Sequence, residues 1–305
     1  MQVYDIPIDE RGRESTPHGT FAFPLAIYTT RIQSNVLGYI TWHWHPELQF
    51  CIVIKGQVEL FVNQESFTLG PGKGIFVNSE QLHMARNAEG FDSTYACLDF
   101  DARMVSGFAG SAVGTKYVAP YLGKASCAMC LLDPSVTWQK DVLEQLMEVY
   151  ENYHGAAPDE LEMTILLCSA WQSLVKNALS LAAAGEAKPI KPQVKEMVDY
   201  IGEHYTQAIS LEDVARHVNL SKATCCRDFK AQLGHTLSEH ILSMRLQQAS
   251  RLLLTTEMNI TDVALACGFG SSSYFIMKFR KSAGVSPAVW RKRQIAAANE
   301  TLLTM

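Results

Sequence analysis

The sequence predicts an α+β protein of two domains: a β-rich domain with a helical pair, then an all-α domain. Short segments rich in Val, Ile, Phe and Tyr run over residues 22–100, whereas apolar residues recur at helical spacing from residue 138 onward. Residues 182–192 combine small residues, charges and two prolines, a composition typical of a linker. At 305 residues the chain is long enough to bury two cores.

Each element has its own signal. Turn residues such as Gly70-Pro71-Gly72 separate the strand-like segments and favour a β-sandwich or barrel. Residues 138–153 and 161–181 carry apolar residues three and four apart, which predicts two amphipathic helices. We therefore expect an N-terminal domain over 1–185, a linker over 186–192, an all-α domain over 193–293 and a tail over 294–305.

Composition narrows the functional classes. Hydrophobic residues make up 48% and charged residues 19% of the chain, as in globular proteins, and no apolar run approaches the roughly 20 residues that span a bilayer. The N-terminus lacks the pattern of a signal peptide, so we expect a cytoplasmic protein without a membrane partner. The net charge of −5 is unevenly distributed, because residues 186–305 hold 15 Lys and Arg against 11 Asp and Glu. This basic half suits a polyanionic partner.

The C-terminal region contains an internal repeat. The segment Ser210-Leu-Glu-Asp-Val-Ala215 recurs as Asn259-Ile-Thr-Asp-Val-Ala264, 49 residues later. Ser210 and Asn259 are expected to cap a short first helix, with an Asp three residues on completing a capping box. Asn219 and Gly268 tolerate the positive φ of a sharp turn that redirects the chain into a second helix. Each copy is thus predicted to be a helix-turn-helix unit.

The second helix of each unit is expected to bury one stripe and to present the other face to DNA. The buried stripes are Cys225, Phe229 and Leu233 in the first unit, and Phe275 and Phe279 in the second. In a helix-turn-helix this helix enters the major groove of double-stranded promoter DNA. The candidate DNA-binding residues are Ser221, Lys222, Ala223, Cys226, Arg227 and Lys230 in the first unit, and Ser271, Ser272, Ser273, Ile276, Met277 and Arg280 in the second.

The two units are not equally equipped to read bases. Arg227 can grip a guanine with two hydrogen bonds, whereas the second unit places Met277 and hydroxyls on its outer face. We expect sequence discrimination to depend mainly on the first unit, while the second reads shape, thymine methyls or backbone. For each basic residue, the alternative is a solvated helix face without a role in binding.

From Gln193 to Arg293 the sequence resembles the AraC/XylS family of bacterial transcription regulators. The resemblance is carried by the repeated segments, by Arg245-Leu-Gln-Gln-Ala-Ser-Arg-Leu-Leu253, by Gly268-Phe269 and by Gly284-Val-Ser-Pro-Ala-Val-Trp290. It implies that one long helix joins the two units and holds both recognition helices toward successive major-groove segments. Met277 departs from the family, which often has arginine there.

The N-terminal domain has a histidine motif at Trp42-His43-Trp44-His45-Pro46-Glu47, followed by a strand-like segment and, farther on, by His83. Strand alternation places His43 and His45 on one face. Residues 20–100 resemble the cupin-type barrel that often precedes AraC-family DNA-binding domains, which implies a small-molecule pocket. The candidate effector-binding residues are His43, His45, Glu47 and His83.

Three functions remain open for those four residues. They can hydrogen-bond an effector, such as a sugar or related metabolite, or they can be purely structural. They can also hold a divalent metal, which would make the barrel a metal-dependent cupin enzyme fused to a DNA-binding domain. The spacing weakens the metal interpretation, because Glu47 follows His45 by two residues, whereas metal-binding cupins usually place the glutamate three or four residues on. We expect a ligand-responsive regulator rather than an enzyme.

The resemblance also implies partners. The helical pair is expected to mediate a homodimer, although the same apolar stripes would suit packing on the barrel alone. A regulator that activates transcription would additionally contact RNA polymerase.

Overall fold

The computed structural model describes residues 6–9, 12–35, 37–63, 65–180, 191–233 and 235–293. Residues 186–190 of the predicted linker and the predicted tail over 294–305 lie outside this set. The contacts divide the chain into two compact units, one holding most of the β-sheet residues and the other holding the C-terminal helices. No helix in the described part is long and apolar enough to cross a membrane.

The N-terminal unit contains nine strands in two antiparallel sheets over the described residues. The strands are β1 (Leu25–Arg31), β2 (Tyr39–His43), β3 (Leu48–Lys55), β4 (Val58–Val62), β5 (Glu65–Leu69), β6 (Gly74–Val77), β7 (His83–Asn87), β8 (Thr94–Phe100) and β9 (Met129–Leu132). The larger sheet has the order β1-β8-β3-β6-β9, and the smaller has the order β2-β7-β4-β5. The predicted barrel is therefore open in its hydrogen bonding among these strands.

Strand alternation gives the larger sheet one apolar face and one polar face. Phe50, Phe76 and Phe100 lie on the apolar face with Leu25, Ile27, Leu48 and Leu98, and all are buried in one cluster. The opposite face carries Gln49, Cys51 and Asp99, which are also buried. This second face lines the interior in which the predicted histidines lie.

Helices α2 (Thr137–Tyr153) and α3 (Glu160–Leu174) cover the apolar face of the larger sheet. Their inward residues Val142, Leu146, Leu167 and Trp171 share the cluster with the strand residues. A short helix α1 (Arg103–Ser106) precedes them, and a π-helical turn over Val175–Leu179 extends α3. The two predicted amphipathic helices are confirmed.

The C-terminal unit is all-α in its described part. Its helices are α4 (Pro192–His204), α5 (Leu211–His217), α6 (Lys222–Leu233), α7 (Leu237–Thr255), α8 (Ile260–Ala266), α9 (Ser272–Ala283) and α10, residues 287–293. Pro192 opens α4, where its missing amide hydrogen costs nothing. The fold class predicted from the sequence is confirmed in both parts.

The two helix-turn-helix units repeat one backbone design. Ser210 caps α5 in a reciprocal capping box with Asp213, and the Asn259 side chain accepts the Asp262 amide at the start of α8. Asn219 has a φ of +54° and Gly268 a φ of +76°, as the predicted turns require. After each turn an amide returns to the first helix, from Leu220 to Ala215 over 3.0 Å and from Phe269 to Ala264 over 2.9 Å.

Candidate DNA-binding and ligand-binding sites

Helix α6 exposes the face that the sequence predicts for DNA contact. Lys222, Ala223, Cys226, Arg227 and Lys230 are all exposed. The predicted stripe of Cys225, Phe229 and Leu233 is fully buried, which fixes the rotation of the helix about its axis. The hydroxyl of Ser221 accepts the amide of Thr224 over 3.2 Å and so caps the helix.

The cations of this face form only weak ion pairs. The Arg227 side chain is 71% exposed, and its Nε lies 3.4 Å from Oδ1 of Asp228. Lys222 forms an ion pair with Glu212 on α5. Both are surface pairs of the kind that contribute little to stability, so the guanidinium and the ammonium can exchange these partners for phosphate or base at small cost.

Helix α9 has the same design with different chemistry. Ser271 caps the helix by accepting the amide of Tyr274, and the predicted stripe of Phe275 and Phe279 is fully buried. Of the residues predicted to face DNA, Ser273, Ile276, Met277 and Arg280 are exposed and Ser272 is half-buried. Arg280 is the single cation among them, and it lies toward the end of the helix.

The three predicted histidines of the N-terminal unit meet in its interior. His43 ends β2, His83 begins the neighbouring strand β7, and His45 lies two residues beyond β2. Their ring nitrogens offer a set of three atoms that lie within 4.8 Å of one another, and all three side chains are buried. The ring centroids of His43 and His83 are 4.2 Å apart, and those of His45 and His83 are 5.0 Å apart.

Glu47 lies beside this cluster but outside it. Its carboxylate is 3.7 Å from Nδ1 of His45, and its backbone carbonyl oxygen is 3.2 Å from the same nitrogen. The carboxylate therefore approaches the ring from the side opposite Nε2. The structure brings together three of the four predicted residues and places the fourth at the margin.

Burial sets the charge state of the cluster. It lowers the pKa of His45 and of His83 well below the usual value, and the neighbouring imidazoles act in the same direction. Both side chains are therefore neutral at pH 7. His45 and His83 thus present imidazole nitrogens as hydrogen-bonding or ligating groups rather than as positive charges.

Comparison with known proteins identifies the two units. A model described as an AraC-like ligand-binding domain matches residues 26–168, and one described as a helix-turn-helix domain matches residues 214–293. The HTH-type transcriptional regulator YdeC of Bacillus subtilis (strain 168) is 34% identical over 286 residues, which cover 93% of this chain and 97% of that protein. The chain belongs to the AraC family of transcriptional regulators. It pairs a ligand-binding domain with a DNA-binding domain, as the sequence predicted.

Two further matches are more distant or cover less of the chain. The melibiose operon regulatory protein of Escherichia coli (strain K12) is 26% identical over 257 residues, which cover 83% of each chain. The C-terminal domain of AraT, a response regulator from Geobacillus stearothermophilus, is 33% identical. It covers 35% of this chain and 88% of its own, with a TM-score of 0.34.

The ligand-binding domain of this AraC-family regulator contains buried acids and a histidine that sequence reasoning missed. Glu14 lies 3.5 Å from Nε2 of His43 and 3.7 Å from Nε2 of His18, and the other nitrogen of His18 is 3.6 Å from Asp99. The backbone places Glu14 there, because its amide donates to the carbonyl of Trp44 over 2.8 Å. No local motif marks these residues in the sequence. The only signal was that Glu14 and His18 lie close together in a loop segment.

These added groups form an ion-pair network. Burial alone would lower the pKa of His18, but the ion pair with Glu14 and the charge of Asp99 raise it to about 9. Burial likewise opposes ionisation of Glu14, yet its bond to His18 and the charge of His43 lower its pKa. Burial raises the pKa of Asp99 to about 7. At neutral pH the pair of His18 and Glu14 is therefore charged, next to the neutral imidazoles of His45 and His83.

Gln49 connects the cluster to the larger sheet of the AraC-family regulator. Its Nε2 lies 3.5 Å from Nε2 of His45, and its Oε1 accepts from the Cys51 thiol over 3.3 Å. Cys51 faces Cys97 across β3 and β8, with the two sulfur atoms 3.1 Å apart. The buried face thus offers amide, thiol, carboxylate and imidazole groups close to one another, a donor and acceptor set suited to a small polar ligand.

Proposed function

We propose that this protein is a ligand-responsive regulator that reads promoter DNA mainly through α6. The observation that carries the proposal is the exposed Arg227 in a helix whose opposite face is locked by three fully buried residues. Lys222 and Lys230 flank Arg227 on the exposed face and suit phosphate contacts, while Ser221, Ala223 and Cys226 can approach base edges. Helix α9 forms a second DNA contact that discriminates less between sequences, through Ser271, Ser272, Ser273, Ile276, Met277 and Arg280.

The roles of the two types of contact can be separated by substitution. Arg227→Ala should weaken binding to a selected DNA site by about 1–3 kcal/mol and relax the preference at one base pair. Lys230→Ala should weaken all sequences alike, and Lys116→Ala, which removes an exposed cation from the other unit, should leave affinity unchanged. Fluorescence anisotropy with selected and random duplexes measures all three. Equal losses on both duplexes for Arg227→Ala would contradict its base-reading role.

The effector site of the proposed regulator is the interior around His43, His45 and His83, with Glu47 at its margin. Buried imidazole, amide and carboxylate groups can match the hydroxyl groups of a sugar or a related metabolite. The name of the melibiose operon regulatory protein supports this ligand class. A bound ligand regulates DNA binding only if it favours one conformation of the protein over another.

A thermal-shift screen of sugars and sugar derivatives tests the effector site. A ligand at 100 times its Kd stabilises the folded state by about 2.7 kcal/mol, which gives a clear, saturable shift. The shift should disappear in His43→Gln and persist in His154→Gln, a substitution on the exposed surface of the same unit. A saturable shift that His43→Gln leaves intact would place the ligand elsewhere.

We further propose that the regulator is cytoplasmic and that it contacts RNA polymerase if it activates transcription. We also propose that it forms a homodimer through α3. On α3, Leu161 is 70% exposed and Ile165 59% exposed, and the exposed Cys168 lies one turn farther along the same stripe. The other apolar residues of the helix already cover the sheet, so this stripe is free for a second copy.

Sedimentation velocity tests the homodimer. Leu161→Glu should shift the full chain toward the monomer, because it would place a charge in an apolar interface. Asp141→Lys, on the exposed face of α2, serves as the control and should leave the sedimentation coefficient unchanged. A wild-type chain that sediments as a monomer at tens of micromolar would contradict the proposal.

A further inference from the structure

The interior histidine cluster has the geometry of a metal site. Its three candidate ligand atoms lie within 4.8 Å of one another, and His43, His45 and His83 are each at most 3% exposed. We propose that these three histidines bind one divalent transition-metal ion, with His45 and His83 using their Nε2 atoms. The inference rests on the ligand-binding function proposed for this interior and specifies what the interior holds.

The hydrogen bonds of the rings select Nε2 as the ligand atom. Nδ1 of His83 lies 2.8 Å from the carbonyl oxygen of Gln81, and Nδ1 of His45 lies 3.2 Å from that of Glu47. A carbonyl can only accept, so each Nδ1 carries the hydrogen and each Nε2 keeps its lone pair. Metal-bound histidines are typically oriented by a carbonyl or carboxylate in this way.

One ring nitrogen of the cluster has no hydrogen-bond partner among the described residues. Nε2 of His83 is fully buried, and no hydrogen-bond partner reaches it from the described residues. Buried polar atoms nearly always form a hydrogen bond. A buried acceptor without one therefore indicates that another group binds there. A metal ion supplies that partner, because it takes up the lone pair directly.

The distances allow the cluster to close on an ion. Zinc–nitrogen bonds are about 2.0–2.1 Å, which places tetrahedral ligand atoms about 3.4 Å apart. The ligand atoms here are separated by up to 4.8 Å, so small side-chain rotations bring them to bonding distance. Gln49 must give up its 3.5 Å contact with His45, which is long for a hydrogen bond.

The identity of the donors indicates the class of metal. Imidazole nitrogen suits zinc, iron, nickel and copper, whereas calcium and magnesium prefer oxygen. Glu14, 3.5 Å from Nε2 of His43, places a carboxylate beside the three imidazole ligands. Three protein ligands leave a coordination position open, through which an effector with oxygen donors can bind to the ion.

Equilibrium dialysis of the full-length chain against Zn²⁺ and Co²⁺, followed by elemental analysis, tests the site. We expect one ion per chain, with a visible Co²⁺ absorption spectrum typical of nitrogen ligands. His83→Gln should lower the affinity at least 100-fold, Glu14→Gln about 10-fold, and His154→Gln not at all. His43→Gln is the second ligand variant if His83→Gln fails to fold, as judged by circular dichroism.

Two results would overturn the metal site: a folded wild-type chain that retains neither ion, or a ligand variant that binds as tightly as His154→Gln. A distinct result separates this proposal from the effector site. If the wild type retains neither ion but an organic metabolite stabilises it and not His83→Gln, the metal proposal fails and the interior remains the effector site. If neither metal nor metabolite binds, both proposals fail.

Discussion

The turn of the second helix-turn-helix unit gives a quantitative test of the backbone design. Gly268 has a φ of +76°, and a Cβ built there would lie 2.6 Å from the carbonyl oxygen of Thr206 and 2.7 Å from that of Tyr205. These are backbone atoms, which cannot move aside without shifting the chain. Gly284 has nearly the same φ of +74°, but a Cβ built there would meet nothing within 4 Å.

The two glycines therefore separate backbone conformation from steric contact. Gly284→Ala should cost about 1 kcal/mol, since alanine disfavours the left-handed region. Gly268→Ala should cost about 3 kcal/mol, because forcing atoms into a packed site adds about 1–3 kcal/mol. The difference of about 2 kcal/mol corresponds to roughly a 30-fold change in the opening equilibrium.

Native-state hydrogen exchange measures that difference locally. The amides of α8 and α9 should exchange roughly 30-fold faster in Gly268→Ala than in Gly284→Ala under conditions where exchange reports the opening equilibrium. Peptides from the N-terminal unit serve as the internal control. Equal protection in the two variants would refute the steric reasoning and show that the positive φ alone requires glycine.

Three further predictions concern the stability of the C-terminal unit. Burial, aided by the charge of His235, lowers the pKa of His240 to about 3. Below pH 6.5 the unfolded state therefore binds a proton at this side chain, whereas the folded state leaves it neutral. His240 alone should make stability fall by about 1.4 kcal/mol per pH unit from 6.5 toward 3, and His240→Gln should reduce the slope in urea unfolding by that amount; an unchanged slope would contradict this. Ser210→Ala should cost about 1 kcal/mol through loss of the capping box, whereas the exposed Ser273→Ala should cost less than 0.5 kcal/mol, measured by the same unfolding. Phe279→Ala should cost about 3–5 kcal/mol, because the fully buried ring packs against Phe275 and Trp290; a melting temperature near that of the wild type would contradict this packing.

The sequence predicted the C-terminal unit in detail because its signals are local. Capping side chains, the positive φ at Asn219 and Gly268, and the buried stripes of α6 and α9 all follow from residues within a few positions of one another. The repeat strengthened each prediction, since the same local solution occurs twice. The inequality of the units also follows from side-chain identity alone, with Arg227 in one helix and Met277 in the other.

The interior of the N-terminal unit was only partly predictable. Alternation placed His43 and His45 on one face, and the structure brings His83 to them through the pairing of β2 with β7. Glu14 and His18 reach the same interior through contacts of a segment without a motif. Glu47 was expected within the site because it lies close to His45 in the sequence. Pro46 stands between the two residues, and the Glu47 carboxylate faces the far side of the His45 ring. The short strand β9 and the division into two sheets likewise depend on long-range pairing.

The central claim is that one chain reads DNA twice, with unequal specificity. Helix α7 has 19 residues and is therefore about 28 Å long, somewhat less than the roughly 34 Å of one turn of B-form DNA. Selection of bound sites from a random duplex library tests this directly, with wild type and Arg227→Ala side by side. We predict two blocks of preferred bases about 10 base pairs apart, one sharp and one shallow, with the sharp block losing one position in the variant. A single block, or an unchanged profile in Arg227→Ala, would contradict it.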